Sequence, residues 1–209
     1  MKQFPLNRIG AGVLFAGAIA LGLVGAACRG GGVTYRPAVS VSTIAGSGPV
    51  RGADFADGPA ATARFARPQA IVVDQTGTVY VADTGNDCIR RLAEGQVSTV
   101  VGACGQRGHV DGQAASVRFS KPAALAIDRA GNLYVKEATF LRKVAADGTV
   151  STLAGTDDAG YLDGPGSTAM FGGNGSVEDG LTGIGLDQAG NIYVADGGNH
   201  CIRKVDAGG

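Results

Sequence analysis

Beyond residue 40 the apolar positions fall in short runs, each closed by Gly, Asp or Asn. AIVVD (70–74), VYVA (79–82), CIRRL (88–92) and VSTVV (97–101) are rich in β-branched residues, and each predicts a short strand. Asp74–Gly77 brackets a tight turn before the second strand, and Glu94-Gly95 sits before the fourth. Ile71, Val72 and Val73 are consecutive apolar residues, so that strand is apolar on both faces. Such a strand suits a sheet covered on both sides.

The pattern recurs. VSTIAG (41–46), VSTVVG (97–102) and VSTLAG (150–155) align, as do TVYVAD (78–83), NLYVKE (132–137) and NIYVAD (191–196). DCIRRL (87–92), FLRKV (140–144) and HCIRKV (200–205) form a third set. DGPAATARF (57–65), DGQAASVRF (111–119) and DGPGSTAMF (163–171) form a fourth. Tyr80 and Tyr134 are 54 residues apart, and Tyr134 and Tyr193 are 59 apart. The run GGNGSVED (172–179) lengthens the third unit and removes the proline seen at Pro68 and Pro122. Four short strands at this period predict an all-β fold, a β-propeller of four-stranded antiparallel blades. Asp128–Gly131, Asp187–Gly190 and Asp147-Gly148 supply the same turns in the later units.

These residues resemble the NHL-repeat family of propellers. The likeness is carried by Phe65 with Pro68, Phe119 with Pro122, Tyr80–Asp83, Tyr193–Asp196, Asn86, Asn199, Ile89-Arg90 and Ile202-Arg203. It covers about residues 41–209. Tyr80, Asp83, Asn86, Arg90, Tyr193, Asp196, Asn199 and Arg203 are thereby expected to be structural residues of the repeat. The second unit departs, with Lys136-Glu137 in place of Ala-Asp and a turn two residues shorter before Leu141. The resemblance implies a six-bladed ring. The strands present amount to three blades, with a spare VST strand at 41–46 and none after VDAGG (205–209). Three blades do not close, since propellers use about four to eight. The expectation is a fragment of a six-bladed ring, ahead of a ring assembled from several chains.

Cys88 and Cys104 occur together in unit one and are replaced together in unit two, by Phe140 and Asp157. Folding the hairpin at Glu94-Gly95 brings them close, so a Cys88–Cys104 disulfide is expected; two free buried thiols are the alternative. Cys201 then lacks a mate, because Gly48 stands at the matching N-terminal place.

Residues 1–27 read as a signal peptide. Lys2 and Arg8 precede the apolar run 9–24, and Gly25, Ala26 and Ala27 lead to Cys28. The apolar run is short for a membrane span. LVGAAC resembles a bacterial lipobox, although Gly25 stands where Leu is usual, so Cys28 is expected to be lipidated. Residues 28–40 then form a Gly-rich tether. The expected location is periplasmic or cell-surface, with the membrane reached through a lipid anchor alone.

Eighteen Lys and Arg balance 18 Asp and Glu, which leaves no electrostatic footprint for nucleic acid. Neither His109 nor His200 has a second His at ligand spacing, so no metal and no cofactor are expected. His109, aligned with Tyr161, reads as packing, and His200 as a surface turn. Asp57, Asp111, Asp163, Asp83 and Asp196 read as turn caps formed by their own side chains. Arg90, Arg142 and Arg203 read as structural or as a solvated blade edge. No nucleophile elbow or phosphate loop stands out. The favoured reading is a non-enzymatic exported scaffold that binds a protein or small-molecule ligand. The alternative is a lyase- or lactonase-like propeller enzyme with a metal in its channel. Self-association is expected if the chain is complete.

Overall fold

The computed structural model describes residues 39–48, 54–172 and 183–206. The chain divides into Met1–Ser40 and Val41–Gly209. The signal segment, Cys28 and residues 173–179 of the Gly-rich run lie outside the described residues.

Three antiparallel sheets follow one another along the chain. The first consists of β2 (Ala70–Val73), β3 (Val79–Asp83), β4 (Cys88–Ala93) and β5 (Gln96–Val101), flanked by the two-residue β1 (Gly58–Pro59). The second repeats it with β7 (Ala124–Ile127), β8 (Leu133–Lys136), β9 (Phe140–Val144) and β10 (Thr149–Gly155), flanked by β6 (Gly112–Gln113). The third holds β11 (Ile184–Leu186), β12 (Ile192–Asp196) and β13 (Cys201–Val205). The four main strands of the first two sheets and the three of the last lie in chain order, as hairpin connections allow, while β1 and β6 lie beyond β5 and β10. Each sheet is one blade, and the three blades stack face to face.

Residue choice explains the turns. Glu94 and Gly95 both have positive φ, 51° and 72°, between the paired Ala93 and Gln96. A two-residue hairpin turn of this hand matches strand twist and favours Gly. The Asp74 carboxylate accepts the N–H groups of Thr76 and Thr78, and Asp187 repeats this with Ala189 and Asn191. These bonds hold both carboxyls below the usual aspartate value, led by the side-chain bonds from Thr76 and Asn191. Gly155 shows a different demand. Its φ is 110°, and a Cβ there would lie 2.1 Å from the Thr139 carbonyl oxygen.

The core lies between blades. One cluster joins blades one and two through Ala82, Ile89, Val101, Phe119, Leu125, Leu133 and Val135. A second joins blades two and three through Tyr134, Leu141, Ala154, Phe171, Ile192 and Val194. Blade two is therefore covered on both faces, and all four residues of β8 are buried. Among the described residues, blades one and three are covered on one face only. Ile71 and Val73 of β2 are 61% and 53% exposed, whereas their counterparts Leu125 and Ile127 pack in the core. The doubly apolar strand at 71–73 is buried on one side alone.

Two expectations need correction. VSTIAG (41–46) forms no strand, because no described strand offers it a ladder partner; Val41 is 96% exposed and Ile44 63%. Blades one and two also carry a fifth, outermost pairing, Gly58↔Val97 and Val150↔Gly112, that four-strand counting omits. The Asp-Gly sequence there is an edge strand as well as a turn.

Cys88 and Cys104 are disulfide-bonded with Cα atoms 5.1 Å apart, and Cys201 is free. The bond closes a loop of 16 residues from the start of β4 to just past β5. In blade two, Phe140 occupies the Cys88 place and stacks on His109. Closing such a loop contributes about 3 kcal/mol in the chain-entropy model. Replacing both cysteines by serine is expected to lower the unfolding free energy by about that amount, as read from urea denaturation.

Candidate functional site

Each blade is pinned by one buried arginine. Arg90, on β4, is fully buried. It bonds the Asp83 carboxylate at 2.9 Å and the Asp57 carboxylate at 2.6 Å, and also donates to the carbonyls of Arg64 and Ala56. Asp83 in turn accepts the Ala66 N–H and the Asn86 amide. Burial pushes the Asp83 carboxyl up from its ordinary value, and the bonds from Asn86, Ala66 and Arg90 oppose that shift. Asp57 also accepts the Thr99 N–H on β5. A planar guanidinium with five donors fits such a crossing of strand, turn and loop. The Phe65 ring lies 5.1 Å from the guanidinium.

Arg142 repeats the arrangement with Asp111 and Glu137, and Arg203 with Asp163 and Asp196. Asn199 bonds Asp196 as Asn86 bonds Asp83. Thus Asp57, Asp111 and Asp163 tie distant segments together, whereas Asp83 and Asp196 bond the Asn of their own turn and also hold the arginine seven residues on. The arginines lie inside the blade, and none forms a solvated edge. Tyr80 packs against the inter-blade core, and the Tyr193 hydroxyl reaches Asp187 at 3.3 Å.

Blade two breaks the pattern. Blades one and three carry 3-10 turns, Thr84–Asn86 and Gly197–Asn199, that end on left-handed Asp87 and His200. The shorter turn of blade two omits this, and Glu137 closes it through its N–H to the Phe140 carbonyl. Glu137 is one methylene longer than aspartate. Its carboxylate meets Arg142 at 3.0 Å, the Ser120 N–H at 2.8 Å and His109 Nδ1 at 2.9 Å. His109 is partly exposed, and its ring stacks 4.4 Å from Phe140. The position that takes His or Tyr is a packing position, and in blade two its imidazole also meets the Glu137 carboxylate.

Lys136 is the residue that sequence reading passed over as chemistry. It fills the place of Ala82 and Ala195, is fully buried, and donates to the carbonyls of Glu137 and Ala138. Its ammonium lies 4.9 Å from the centre of Phe171, whose ring also faces Arg203. Burial lowers its pKa to about 8, against the opposing attraction of Asp196 and Glu137. The signal available was a charge where the other two repeats have alanine. Shut away from solvent, this amine sits at the interface of blades two and three. Among the described residues no group of three or more His, Cys, Asp and Glu side chains is placed to hold a metal ion.

The loops that start each inner strand gather with the 3-10 turns at one end of the blades. There Asp87 accepts the Lys121 N–H from the next blade and pairs with Arg107. Arg67 and Lys121 occupy the same place on consecutive loops, each just before a proline, with φ of 46° and 50°. Positive φ is uncommon for such residues, and such strain clusters at ligand clamps.

The Lys136 ammonium is disfavoured in the folded state. Between about pH 8 and its ordinary value of 10.5, the folded chain holds fewer protons than the unfolded one. Stability from this site therefore rises with pH across that window. Lys136→Met is expected to abolish the rise, measured as the difference between the two proteins in urea denaturation at about pH 7.5 and 9.5.

The NHL repeat family model matches residues 65–92 and 179–205. A Bacteroides thetaiotaomicron protein of unknown function is similar at 26% identity and a TM-score of 0.56, over 66% of this chain and 34% of that one. An auxiliary nutrient binding protein from Bacteroides ovatus is similar at 26% identity and a TM-score of 0.53, over 64% and 36%. A further auxiliary nutrient binding protein, from Bacteroides thetaiotaomicron, shares the fold at 23% identity and a TM-score of 0.53, over the same shares. The chain thus spans about a third of the length of these structures. The two matched repeats fall on blades one and three, each pinned by the same Asp, Asn and Arg, so the chain carries the NHL repeat at both places.

Proposed function

We propose that the chain is a non-enzymatic, extracytoplasmic blade array that holds a small-molecule or protein ligand on its loop end. The observation that carries this reading is the pair Arg67 and Lys121. Two cationic residues stand in strained backbone at the same place on neighbouring loops. The likeness to an auxiliary nutrient binding protein supports a binding role. The disulfide suits an oxidising exported compartment.

A thermal-shift panel of soluble sugars, amino acids and carboxylates is expected to raise the melting temperature for at least one class. The rise should vanish in Arg67→Ala/Lys121→Ala. Turnover of ester or lactone substrates that chelation abolishes would replace this reading with the metal-enzyme one.

Anchoring is proposed to run through a lipidated Cys28. Cys28→Ala is expected to move the protein from the membrane fraction to the soluble exported fraction. Unchanged fractionation and processing would leave an ordinary cleaved signal.

A further inference from the structure

What a blade needs for folding recurs in every copy, so residues that break the repeat and meet in space point to another task. Four such departures meet at the junction of blades one and two. Asp87 stands where the later blades have Thr139 and His200, and Glu137 where the others have Asp83 and Asp196. Arg107 stands where the next connection has Ala159, and His109 where Phe55 and Tyr161 stand. This junction has a full blade on either side, away from both ends of the array.

The two carboxylates act alike. The Asp87 side chain is 7% exposed and that of Glu137 is fully buried. Asp87 accepts the Lys121 N–H at 2.7 Å and the Arg107 Nε–H at 3.3 Å. Glu137 accepts the Ser120 N–H at 2.8 Å and faces His109 Nδ1 at 2.9 Å. Each buried carboxylate thus fixes one N–H of the loop before β7 and one side chain of the connection that leaves β5. Gly108 and Val110 donate to the carbonyls of Phe119 and Arg118, which holds that connection extended. Residues two apart on an extended segment share a face, so Arg107 and His109 project together. Both stay open to solvent, with side chains 53% and 31% exposed. Buried groups that hold exposed ones in place are the construction of a binding site.

The unused donors and acceptors define the ligand. Among the described residues, Asp87 is the partner of the Arg107 guanidinium, through Nε, which leaves the Nη donors for a group from outside. A guanidinium only donates, and its fork matches a carboxylate or a phosphate. With the Nδ1 proton given to Glu137, the neutral His109 ring keeps Nε2 as an acceptor, which suits a hydroxyl.

We infer that this junction binds a ligand with a carboxylate beside hydroxyl groups, a sugar acid in class, with Arg107 on the carboxylate and His109 Nε2 on a hydroxyl. The inference rests on the loop end being a binding surface, and it adds the chemistry of the ligand.

Arg107→Ala and His109→Tyr install the residues that stand at the matching places before blade three, so each suits the fold. Isothermal titration of the full chain with D-glucuronate, glucose, succinate and inorganic phosphate is the test. Glucuronate is expected to bind about tenfold or more tighter than glucose or succinate, each of which lacks one half of the contact. Arg107→Ala should erase the preference over glucose, and His109→Tyr the preference over succinate, with circular dichroism unchanged. Phosphate binding as tight as that of glucuronate overturns the inference in favour of a phosphate ligand. Silence from all four probes overturns it too, as does a glucuronate affinity that both variants leave unchanged. A ligand from the thermal-shift panel that needs Arg67 and Lys121, but neither Arg107 nor His109, overturns this inference and leaves the binding reading standing. Silence across that panel as well removes both.

Discussion

A buried guanidinium held between two carboxylates organises every blade. Arg90, Arg142 and Arg203 each join a strand to the Asp-Gly edge, to the turn that ends the second strand and to the loop from the previous sheet. Removing a charge from water is costly, so the arrangement holds only if the donors and carboxylates are matched. They are matched because the strand register sets Arg90 across from Val81, two residues before Asp83, and the repeat copies that register. The aromatic ring against each guanidinium adds a cation–π contact and fills the space where the loop enters.

That constraint explains why the repeat tolerates change in some places and not in others. Glu137 replaces aspartate in blade two, and its longer side chain still reaches Arg142. The extra methylene comes with a shorter turn, with His109 as a further partner and with Phe140 where blade one has a cysteine. Lys136 belongs to the same local rearrangement. It is buried because blade three covers it, and it is tolerated because two carbonyls and the Phe171 ring receive the ammonium.

Packing between blades is the second source of stability. Each inter-blade cluster draws on two sheets and on a phenylalanine from the entering loop, Phe119 or Phe171. Among the described residues the middle blade gains this twice and each of the other two once, and the exposed apolar residues of blades one and three follow from that difference.

The strands, the turns and the repeat were legible in the sequence because they depend on neighbours close along the chain. β-branched runs bounded by Gly and Asp marked β2 to β5 within a residue or two, and Glu94-Gly95 marked its hairpin. The roles of the charged residues were not legible, because they depend on partners from distant segments. Asp57 and Asp83 look like turn caps until the fold brings Arg90 to both across 33 and 7 residues. Lys136 shows in the sequence only as a charge where the other repeats have alanine, and its burial comes from the cover of blade three. VSTIAG reads as a strand, yet only a ladder partner makes one. Sequence alone determined what each segment is able to form; the tertiary structure decided which charges are buried together and which strands pair, because burial and pairing belong to the assembled blades.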